Sequence, residues 1–527
     1  MMKTLRIGTL AALVLASASC KDFLDVNDNP NAPQTVSANL YLAPMLHWMT
    51  TSPQYDGRFV GRYAQEWTLA SGVTSLSTWD RMGYDPASDN GAQQWRDVYW
   101  TFGQNLVDMM NKAEAEQRWD LLGVGYVLKA WGWQVLTDLH GEIIIKEAID
   151  QSKFTFNYDT QEYAYSEILR LLDKAIELLG KSDGAVDQAF LARTDKIYNG
   201  DRAKWTKLAY GMKALALNHF SNKSSYKPAE VISNVDKSLA SNADEPLLTY
   251  PGTQNDDINF WGRTRGNIQT NTTGYRQTQF IVNLMNGTYT GGTVDPRMSR
   301  MLAPSPDGQY RGLDVNVIGF GALTAAQQPN NFHGYVGTGG LQSPGRYIFD
   351  DKAKLAVMTY AQLQFIKAEA AYRSGDKATA LTAYRNAVSA HFDWVNARNS
   401  DNGQTPTQIT SAEKTAYMNV IVPAAASALT LTHIMSQKYI AQWGWGHNEI
   451  WMDLRRYHYT DIDPASGIQV FPGFTPPTNL YPDNGGKIVQ RIRARYNSEY
   501  VWNRAALETI GGLALDFHTK PLWIIEP

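Results

Sequence analysis

Residues 358–391 read MTYAQLQFIKAEAAYRSGDKATALTAYRNAVSAH, and this stretch decides the fold. It is the clearest of the helix pairs that the sequence predicts. When Ala361 is counted as the first residue of a repeat of about 34 residues, small or aromatic side chains stand at the eighth, fifteenth, twentieth, twenty-fourth and twenty-seventh positions. They are Ala368, Gly375, Ala380, Tyr384 and Ala387.

Those five positions are the ones at which the helices of a tetratricopeptide repeat pack closely together. The Trp and the later Pro that usually complete the repeat are absent. A second pair is predicted nearer the N-terminus, where residues 159–162 resemble a helix start with a returning Glu, Gly180 ends the helix, and residues 202–220 form its partner. The sequence therefore predicts an all-α fold, a tetratricopeptide-like helical-repeat scaffold.

Two long helices are expected before these pairs, at about 92–118 and about 120–139. The first carries apolar residues on one stripe at helical spacing, namely Trp95, Val98, Tyr99, Phe102, Leu106, Met109 and Met110. Helical pairs are thus predicted at about 92–240 and about 353–460.

The chain changes character between these two helical regions. Residues 249–350 are dense in Gly, Asn, Thr and Gln, with short aromatic interruptions. A loop of that length is rare in a compact domain unless it has a function, and binding residues are often carried on loops held by a stiffer frame. We therefore predict a large, irregular, loop-rich lobe at about 249–350 that binds ligand.

The N-terminus has the order of a secretory signal. Lys3 and Arg6 precede an apolar run at 7–16, and small residues then lead to Cys20, the single cysteine of the chain. An apolar run of about ten residues is too short to remain as a membrane span. Residues 1–19 are therefore predicted to be a signal peptide that is removed.

Cleavage at that point would make Cys20 the first residue of the mature chain. We predict that Cys20 is lipidated, that residues 20–38 form a tether, and that residues 39–527 form a single domain. The alternative is ordinary cleavage nearby, which would leave Cys20 as a free thiol. An exposed free thiol is unfavourable in an oxidising compartment, so lipidation is the preferred interpretation.

The overall charge excludes some classes of partner. Lys and Arg total 48 against 51 Asp and Glu, and the net charge is -3, so nucleic acid is not an expected partner. With one cysteine the chain has no intrachain disulfide, and its stability must come from burial.

Several short stretches, spread over nearly the whole mature length, carry a family resemblance. They are the run from Cys20 to Pro33, which begins CKDFLDVN, then TDLHGEI at 137–143, YDTQE at 158–162, KWTKLA at 204–209, DPRM at 295–298, EIWMDLRR at 449–456 and RYNSEY at 495–500, with Asn503. In order and content they resemble the SusD/RagB-type outer-membrane lipoproteins of Bacteroidetes.

The resemblance implies a tetratricopeptide-like frame with a ligand surface on the irregular half. It also implies a surface-exposed lipoprotein of the outer membrane that sits over a SusC-like TonB-dependent transporter. There it would bind oligosaccharide and deliver it for import. A peptide-binding receptor of the same type is the alternative within this class.

Three loop clusters are the predicted ligand contacts. Sugars stack their C–H faces on flat aromatic rings, while amides and guanidinium groups bind their hydroxyls. The clusters combine these side chains in Gly-rich or polar loops, where a large aromatic residue belongs to no helical stripe. The predicted contacts are Trp79, Arg81 and Tyr84, then Trp261 and Arg263, and then Asn331, Phe332 and Tyr335. The alternative is that these aromatics fill gaps between loops.

Two carboxylates raise the alternative of a lipid-anchored, all-α glycoside hydrolase. Glu449 and Asp453 are four residues apart and share one helical face, and paired acids can hydrolyse glycosides. However, Arg455 and Arg456 follow at once, and acids beside guanidinium groups more often form structural ion pairs. We therefore expect no catalytic residue.

Metal and cofactor signals are weak. The nine His lack the spacing of a zinc site. Asp350, Asp351 and residues 255–257 offer too few spaced oxygens for a calcium loop. The run at 443–447 contains two Trp and a His, and we interpret it as structural packing. No metal and no cofactor are predicted.

Overall fold

A computed structural model describes residues 36–254, 257–266, 274–333, 345–401 and 408–527. The predicted signal peptide, the predicted lipidation site Cys20 and residues 20–35 of the predicted tether lie outside these ranges. Within them, no helix combines the length and the apolarity needed to cross a membrane.

The first half of the described chain is a series of packed helices. They are α1 (Leu42–Tyr63), α2 (Gln93–Arg96), α3 (Gly103–Ala115), α4 (Trp119–His140), α5 (Gln161–Leu179), α6 (Gln188–Ala192), α7 (Arg202–His219) and α8 (Pro228–Asp236). Helix α4 packs on α3 and α5, α5 on α7, and α7 on α8. Neighbouring helices thus stack side by side.

The second half continues this stack. Its helices are α9 (Gln279–Met285), α10 (Met298–Met301), α11 (Tyr360–Arg373), α12 (Lys377–Ser400), α13 (Ser411–Ile421), α14 (Leu431–Gln442), α15 (His447–Arg456) and α16 (Arg504–Thr509). Helix α11 packs on α8, α12 and α14, while α15 packs on α1. A helix near the C-terminus therefore packs against the first helix of the chain.

Strands occur in two short pairs in the described residues. Strand β1 (Trp67–Leu69) runs antiparallel to β3 (Tyr275–Gln277), with Trp67 opposite Gln277. Strand β2 (Leu247–Leu248) runs antiparallel to β4 (Leu355–Ala356). Each pair ties a distant part of the chain to the helical frame, but neither forms a separate layer.

The helix pair at 358–391 shows why the sequence folds as it does. The Thr359 hydroxyl accepts a hydrogen bond from Gln362 N at 3.1 Å, and Gln362 Oε1 accepts one from Thr359 N at 3.4 Å, which is a capping box at the start of α11. Gly375 in the turn has a φ of 87°, a value that favours glycine. The Asp376 carboxylate then accepts from Thr379 N at 3.0 Å and starts α12. The small and aromatic repeat residues are buried: Ala368, Ala380, Tyr384 and Ala387.

These features confirm the all-α, tetratricopeptide-like prediction, but the single helix predicted at 92–118 is wrong. The chain forms α2, then a π-helix over Asp97–Phe102, and then α3, which starts at Gly103 with a φ of 28°. A π-helix bonds residue i to i+5 instead of i+4, so one turn holds an extra residue. Phe102 remains in the core, whereas Trp100 is exposed to solvent.

The segment predicted to be an irregular lobe, 249–350, is mainly loop in its described parts. Its large apolar residues enter the same core as α11, α12, α14 and α15; they include Phe260, Trp261, Phe280, Phe332 and Phe349. A second core cluster is formed largely by α3, α4, α5, α7 and α8. Burial of aromatic side chains therefore holds the loops on the helical frame.

Candidate ligand-binding site

A surface cavity of about 290 Å³ lies between the first π-helix, the loop after α4 and the C-terminal segment. Its lining residues are Trp95, Arg96, Tyr99, Trp100, Ile144, Ala148, Ile149, Phe156, Arg495, Ser498 and Glu499. We call this cavity the aromatic groove. Apolar walls with a few polar groups are typical of sites for small molecules.

Asp56 on α1 fixes the start of the helix that forms one wall. Its carboxylate accepts the backbone N–H groups of Gln93 at 2.9 Å and Gln94 at 2.8 Å. These N–H groups have no partner inside the helix, so a carboxylate there stabilises the helix start. Burial raises the pKa of Asp56 to about 6, although the N–H donors oppose that shift.

Asp97 anchors the π-helix to the core. Its buried carboxylate accepts from Ser52 Oγ at 2.6 Å, from Gln93 Nε2 at 2.9 Å and from Thr101 Oγ1 at 2.8 Å. Burial raises the pKa of Asp97, and these donors oppose that shift. With residue 97 held inward, the turn presents Trp100 to solvent.

Trp100 is the most distinctive residue of the groove because 68% of its surface is exposed. Large apolar side chains are usually buried, so an exposed Trp at a cavity points to a binding role. The Arg96 guanidinium carbon lies 4.6 Å from the centroid of the Trp100 ring, within the range of a cation–π contact. The pair places a flat ring beside a planar set of donors.

Tyr99 holds the opposite wall. Its hydroxyl accepts from Ile144 N at 2.9 Å and donates to Ile144 O at 2.7 Å. Burial raises the pKa of Tyr99, so the phenol stays neutral. On the same loop Ile149 has a φ of 63°, a left-handed conformation that a β-branched residue rarely adopts. Such strain is found most often at functional sites.

The floor of the groove carries a buried carboxylate. Glu499 lies on a second π-helix, Tyr496–Trp502. Its Oε2 accepts from Tyr158 OH at 2.5 Å and from Asn503 Nδ2 at 2.9 Å. Among the residues that the structure describes, none donates to its Oε1, which is therefore available to a ligand hydroxyl.

Two further aromatic residues lie close in sequence to the groove residues Phe156 and Glu499. Phe154 is 92% exposed and Trp502 is 77% exposed. Asn503 joins their segments, because its Oδ1 accepts from Phe156 N at 3.0 Å and its Nδ2 donates to Phe156 O at 3.0 Å. The surface beside the groove is thus unusually rich in exposed rings.

The first predicted cluster lies elsewhere, and its two aromatic residues are buried, which corrects the expectation of an exposed stacking face. The Trp79 ring lies 4.8 Å from Phe59 and 5.0 Å from Tyr84, measured between centroids, and its Nε1 donates to Asp85 at 2.8 Å. Tyr84 is buried as well. Arg81 is partly exposed, and its guanidinium donates to the carbonyl and side chain of residue 479 and to Leu480 O.

The second cluster is corrected in the same way. Trp261 is fully buried, and its Nε1 donates to Gln54 Oε1 at 2.6 Å. His447 Nε2 lies 3.1 Å from the same oxygen, while its Nδ1 lies 2.7 Å from Glu66 Oε1. Gly57 makes room for this arrangement, since a Cβ there would collide with the His447 ring. Arg263 is partly exposed, with its Nε 3.7 Å from Asp350 Oδ1.

The third cluster is also inside the core where it is described. Phe332 stacks on Phe349 with centroids 4.4 Å apart and planes 13° apart. The Asn331 side chain is buried and accepts from His333 N at 3.1 Å. Tyr335 lies outside the described residues. The aromatics of all three clusters fill gaps between loops as far as they are described, and ligand contact by Arg81 and Arg263 stays a prediction.

The acidic pair on α15 is part of a buried ionic network. Asp453 accepts from Lys438 Nζ at 3.0 Å and from Arg456 Nη2 at 2.6 Å. Glu449 Oε2 lies 3.1 Å from His219 Nε2. With one acid bound between two cations, the arrangement fits a structural role and not an acid–base pair for hydrolysis.

Asp138, His219 and Glu449 bring three metal-ligand types together. However, Glu449 lies at Nε2 of the imidazole, whereas Asp138 lies 3.7 Å from Nδ1. One ion cannot bind both edges of one ring, so an imidazolium between two carboxylates is the better interpretation. Burial alone lowers the pKa of His219, but the two carboxylates outweigh it and raise the pKa to about 9.

Sequence reasoning missed Trp100, although a signal was present. The apolar stripe at 92–118 includes Trp95, Tyr99 and Phe102, and Trp100 belongs to none of its positions. A Trp off the stripe of an amphipathic helix is expected to face solvent. Trp502 gave no comparable signal because no helical period covers its segment.

The fold and the groove together define a class, an all-helical repeat protein with an aromatic surface groove. A family model described as starch-binding and associating with outer membrane matches residues 30–482. The chain belongs to this SusD-like family, whose members are binding proteins rather than enzymes. Among curated protein sequences, none matches the chain significantly.

Solved structures agree on the fold. A SusD/RagB family protein from Bacteroides thetaiotaomicron has a TM-score of 0.71 at 22% identity, over 93% of this chain and 99% of that one. A SusD homologue from Bacteroides fragilis has a TM-score of 0.70 at 19% identity, over 93% and 100%. A chitin-binding SusD homologue from Flavobacterium johnsoniae has a TM-score of 0.67 at 20% identity, over 93% and 98%.

Proposed function

We propose that this protein is a surface lipoprotein that binds oligosaccharide in the aromatic groove and delivers it to a SusC-like TonB-dependent transporter. The family description supports binding of carbohydrate at the outer membrane, and the name of the Flavobacterium homologue supports an oligosaccharide as ligand class. Lipid attached to Cys20 would hold the protein at the membrane.

The exposed ring of Trp100 is the observation that carries the proposal. A pyranose places axial C–H groups on one face and hydroxyls around its edge, so a site needs a flat ring together with donors and acceptors. Trp100 offers the ring, Arg96 offers donors and Glu499 Oε1 offers an acceptor around one cavity. Sugar stacked on Trp100 would be within reach of both polar groups.

Calorimetric titration of the mature protein with a panel of neutral oligosaccharides tests the assignment. At least one glycan should bind, and Trp100→Ala should weaken that binding up to about tenfold, since stacking on an aromatic ring contributes roughly 0.5–1.5 kcal/mol. Tyr289→Ala is the control, because Tyr289 is a partly exposed ring outside the groove. Equal affinity of the wild-type protein and Trp100→Ala would exclude the groove as the site.

The same titrations separate the alternatives. Chromatography of the glycans afterwards should show them intact, whereas products whose formation depends on Glu449 or Asp453 would favour a hydrolase. Heat released with peptides and not with glycans would favour a peptide receptor. Co-purification of a TonB-dependent barrel from native membranes tests the transporter, and mass spectrometry of the mature N-terminus tests lipidation of Cys20.

A further inference from the structure

The exposed Trp and Phe side chains of this protein are concentrated in one region. Among the residues that the structure describes, only Trp100, Phe154 and Trp502 are Trp or Phe residues with more than half of their surface exposed. Trp100 lines the aromatic groove, and the other two lie close in sequence to the groove residues Phe156 and Glu499. Large apolar side chains are usually buried, so exposed rings gathered at one place indicate a binding surface.

The segments that carry Phe154 and Trp502 lie side by side. The Asn503 side chain accepts from Phe156 N at 3.0 Å and donates to Phe156 O at 3.0 Å. Trp502 directly precedes Asn503, and Phe154 stands two residues before Phe156. The two exposed rings are therefore carried by neighbouring backbone segments at the edge of the groove. We call Phe154 and Trp502 the rim pair.

The loop that carries Phe154 is closed by hydrogen bonds on both sides of the ring. The Glu147 carboxylate accepts from Asn157 N at 2.7 Å and from Asn157 Nδ2 at 3.1 Å. It also accepts from the amine of Lys153, the residue before Phe154. A ring held on a loop that is already ordered loses less conformational entropy when it binds a ligand.

Trp502 is likewise carried on a fixed segment. It ends the second π-helix, Tyr496–Trp502. Near the start of this helix, the Asp89 carboxylate accepts from Asn497 N at 3.2 Å and from Asn497 Nδ2 at 2.6 Å, and it pairs with Arg495 Nη2 at 2.9 Å. Both rings of the rim pair are thus exposed on supports that are held by hydrogen bonds.

The surroundings of the rim pair favour a sugar over a protein partner. The centre of a protein-docking surface is contiguous, apolar and closed to water. Phe154 instead lies between exposed polar residues at 151–153 and 155. Arg504, two residues after Trp502, is exposed and forms no hydrogen bond or ion pair with the residues that the structure describes. Flat rings separated by polar groups match a glycan, whose units carry C–H faces as well as hydroxyls.

We propose that Phe154 and Trp502 form a second stacking subsite, which binds units of a linear oligosaccharide beyond those that stack on Trp100. The second subsite depends on the proposed function, because it continues the groove in which Trp100 binds the first units. The substrate class is then a linear glycan long enough to reach from Trp100 to the rim pair. A disaccharide occupies the groove alone, so affinity should increase with chain length.

Calorimetry of the mature protein with maltose and maltohexaose, cellobiose and cellohexaose, and chitobiose and chitohexaose tests the second subsite. In a series that binds, the hexasaccharide should bind more tightly than the disaccharide. Phe154→Ala and Trp502→Ala should each weaken hexasaccharide binding about two- to tenfold, the range expected for one stacked ring. Neither variant should change the affinity for the disaccharide. Trp100→Ala should weaken the binding of both.

Further variants at position 502 separate stacking from general apolar contact. Trp502→Phe keeps a flat ring and should retain most of the hexasaccharide affinity. Trp502→Leu keeps an apolar side chain without a flat face and should lose as much affinity as Trp502→Ala. Val317→Ala is the control, because Val317 is an exposed apolar residue outside the groove lining, and it should bind both glycans as the wild-type protein does.

The results distinguish failure of the second subsite from failure of the proposed function. Binding of none of these glycans, or an unchanged hexasaccharide affinity in Trp100→Ala, would overturn both. A hexasaccharide affinity that falls in Trp100→Ala but not in Phe154→Ala or Trp502→Ala would overturn the second subsite alone. Loss of a co-purifying barrel in Trp502→Ala, with glycan affinity unchanged, would also overturn it and would assign the rim pair to protein docking.

Discussion

The Arg96 guanidinium lies 4.6 Å from the Trp100 ring centroid, four residues back on the same helical segment. It forms no hydrogen bond or ion pair with the residues that the structure describes. Its five N–H groups can therefore serve a ligand while its plane supports the indole. Arg96 thus orients the Trp100 ring and also offers hydrogen-bond donors to the hydroxyl groups of a ligand.

Replacement of Arg96 should affect binding and leave stability unchanged. We expect Arg96→Ala to weaken oligosaccharide binding about tenfold, because hydrogen bonds from a charged donor contribute roughly 1.5–3 kcal/mol. The affinity of Arg96→Lys should lie between those of the wild-type protein and Arg96→Ala, since the charge remains but the planar donors are lost. Calorimetry and thermal melting measure the two effects. A melting temperature that falls together with affinity would indicate a structural role instead.

Trp261 should matter for stability and not for binding. Trp261→Ala removes a fully buried ring, and such truncations cost about 3–5 kcal/mol. Trp261→Phe should cost about 1–3 kcal/mol, because Gln54 Oε1 loses its indole donor. Urea unfolding measures both. Trp502→Ala, at an exposed ring, is the matched control and should change the free energy of unfolding by less than about 0.5 kcal/mol.

His219 should give stability a pH dependence of known sign. Its pKa is about 9 in the folded state against 6.5 in its ordinary state. A raised pKa adds stability that is fully present below pH 6.5 and lost as the pH rises through 9, about 3 kcal/mol in all. The difference in unfolding free energy between wild type and His219→Gln should therefore shrink by that amount across this window. A difference that stays constant with pH would contradict the ion-pair assignment.

Loss of the Glu369 negative charge is expected to destabilise the core. Its oxygens accept from Arg456 at 2.8 and 2.9 Å and from Tyr457 OH at 2.7 Å. Burial alone raises the pKa of Glu369, but Arg456 outweighs it and holds the pKa well below 4.5. Its stabilisation is thus present above that value and lost as the pH falls.

Glu369→Gln should cost about 3–5 kcal/mol at pH 7, because it leaves buried charge uncompensated. Urea unfolding measures the loss. Glu508→Gln at the surface is the matched control and should be nearly neutral. A small effect at Glu369 would mean that Asp453 alone neutralises Arg456.

The helical frame could be predicted from sequence because its signals are local. Thr359 with Gln362, and Gly375 in the turn, specify a cap and a turn within a few residues of each other. The site could not be predicted in this way. Trp261 is buried by Gln54 and His447, which are distant in the chain, so its loop sequence gave no indication of burial.

The groove was missed for a second physical reason. The stripe from Trp95 to Met110 places Trp100 on its outer side, but it gives no sign of the π-helix on which Trp100 lies at the edge of the groove. A period of 3.6 residues describes an α-helix only, so one extra residue within a turn changes which side chains face outward.

The π-helix at Asp97–Phe102 also bears on how such a groove can arise. An α-helical turn differs from it by a single residue, so one codon inserted or deleted there would rotate the outward-facing side chains while the stacked helices keep their positions. Related proteins with this scaffold can then come to bind different ligands through small insertions or deletions, while the packing of the core stays the same.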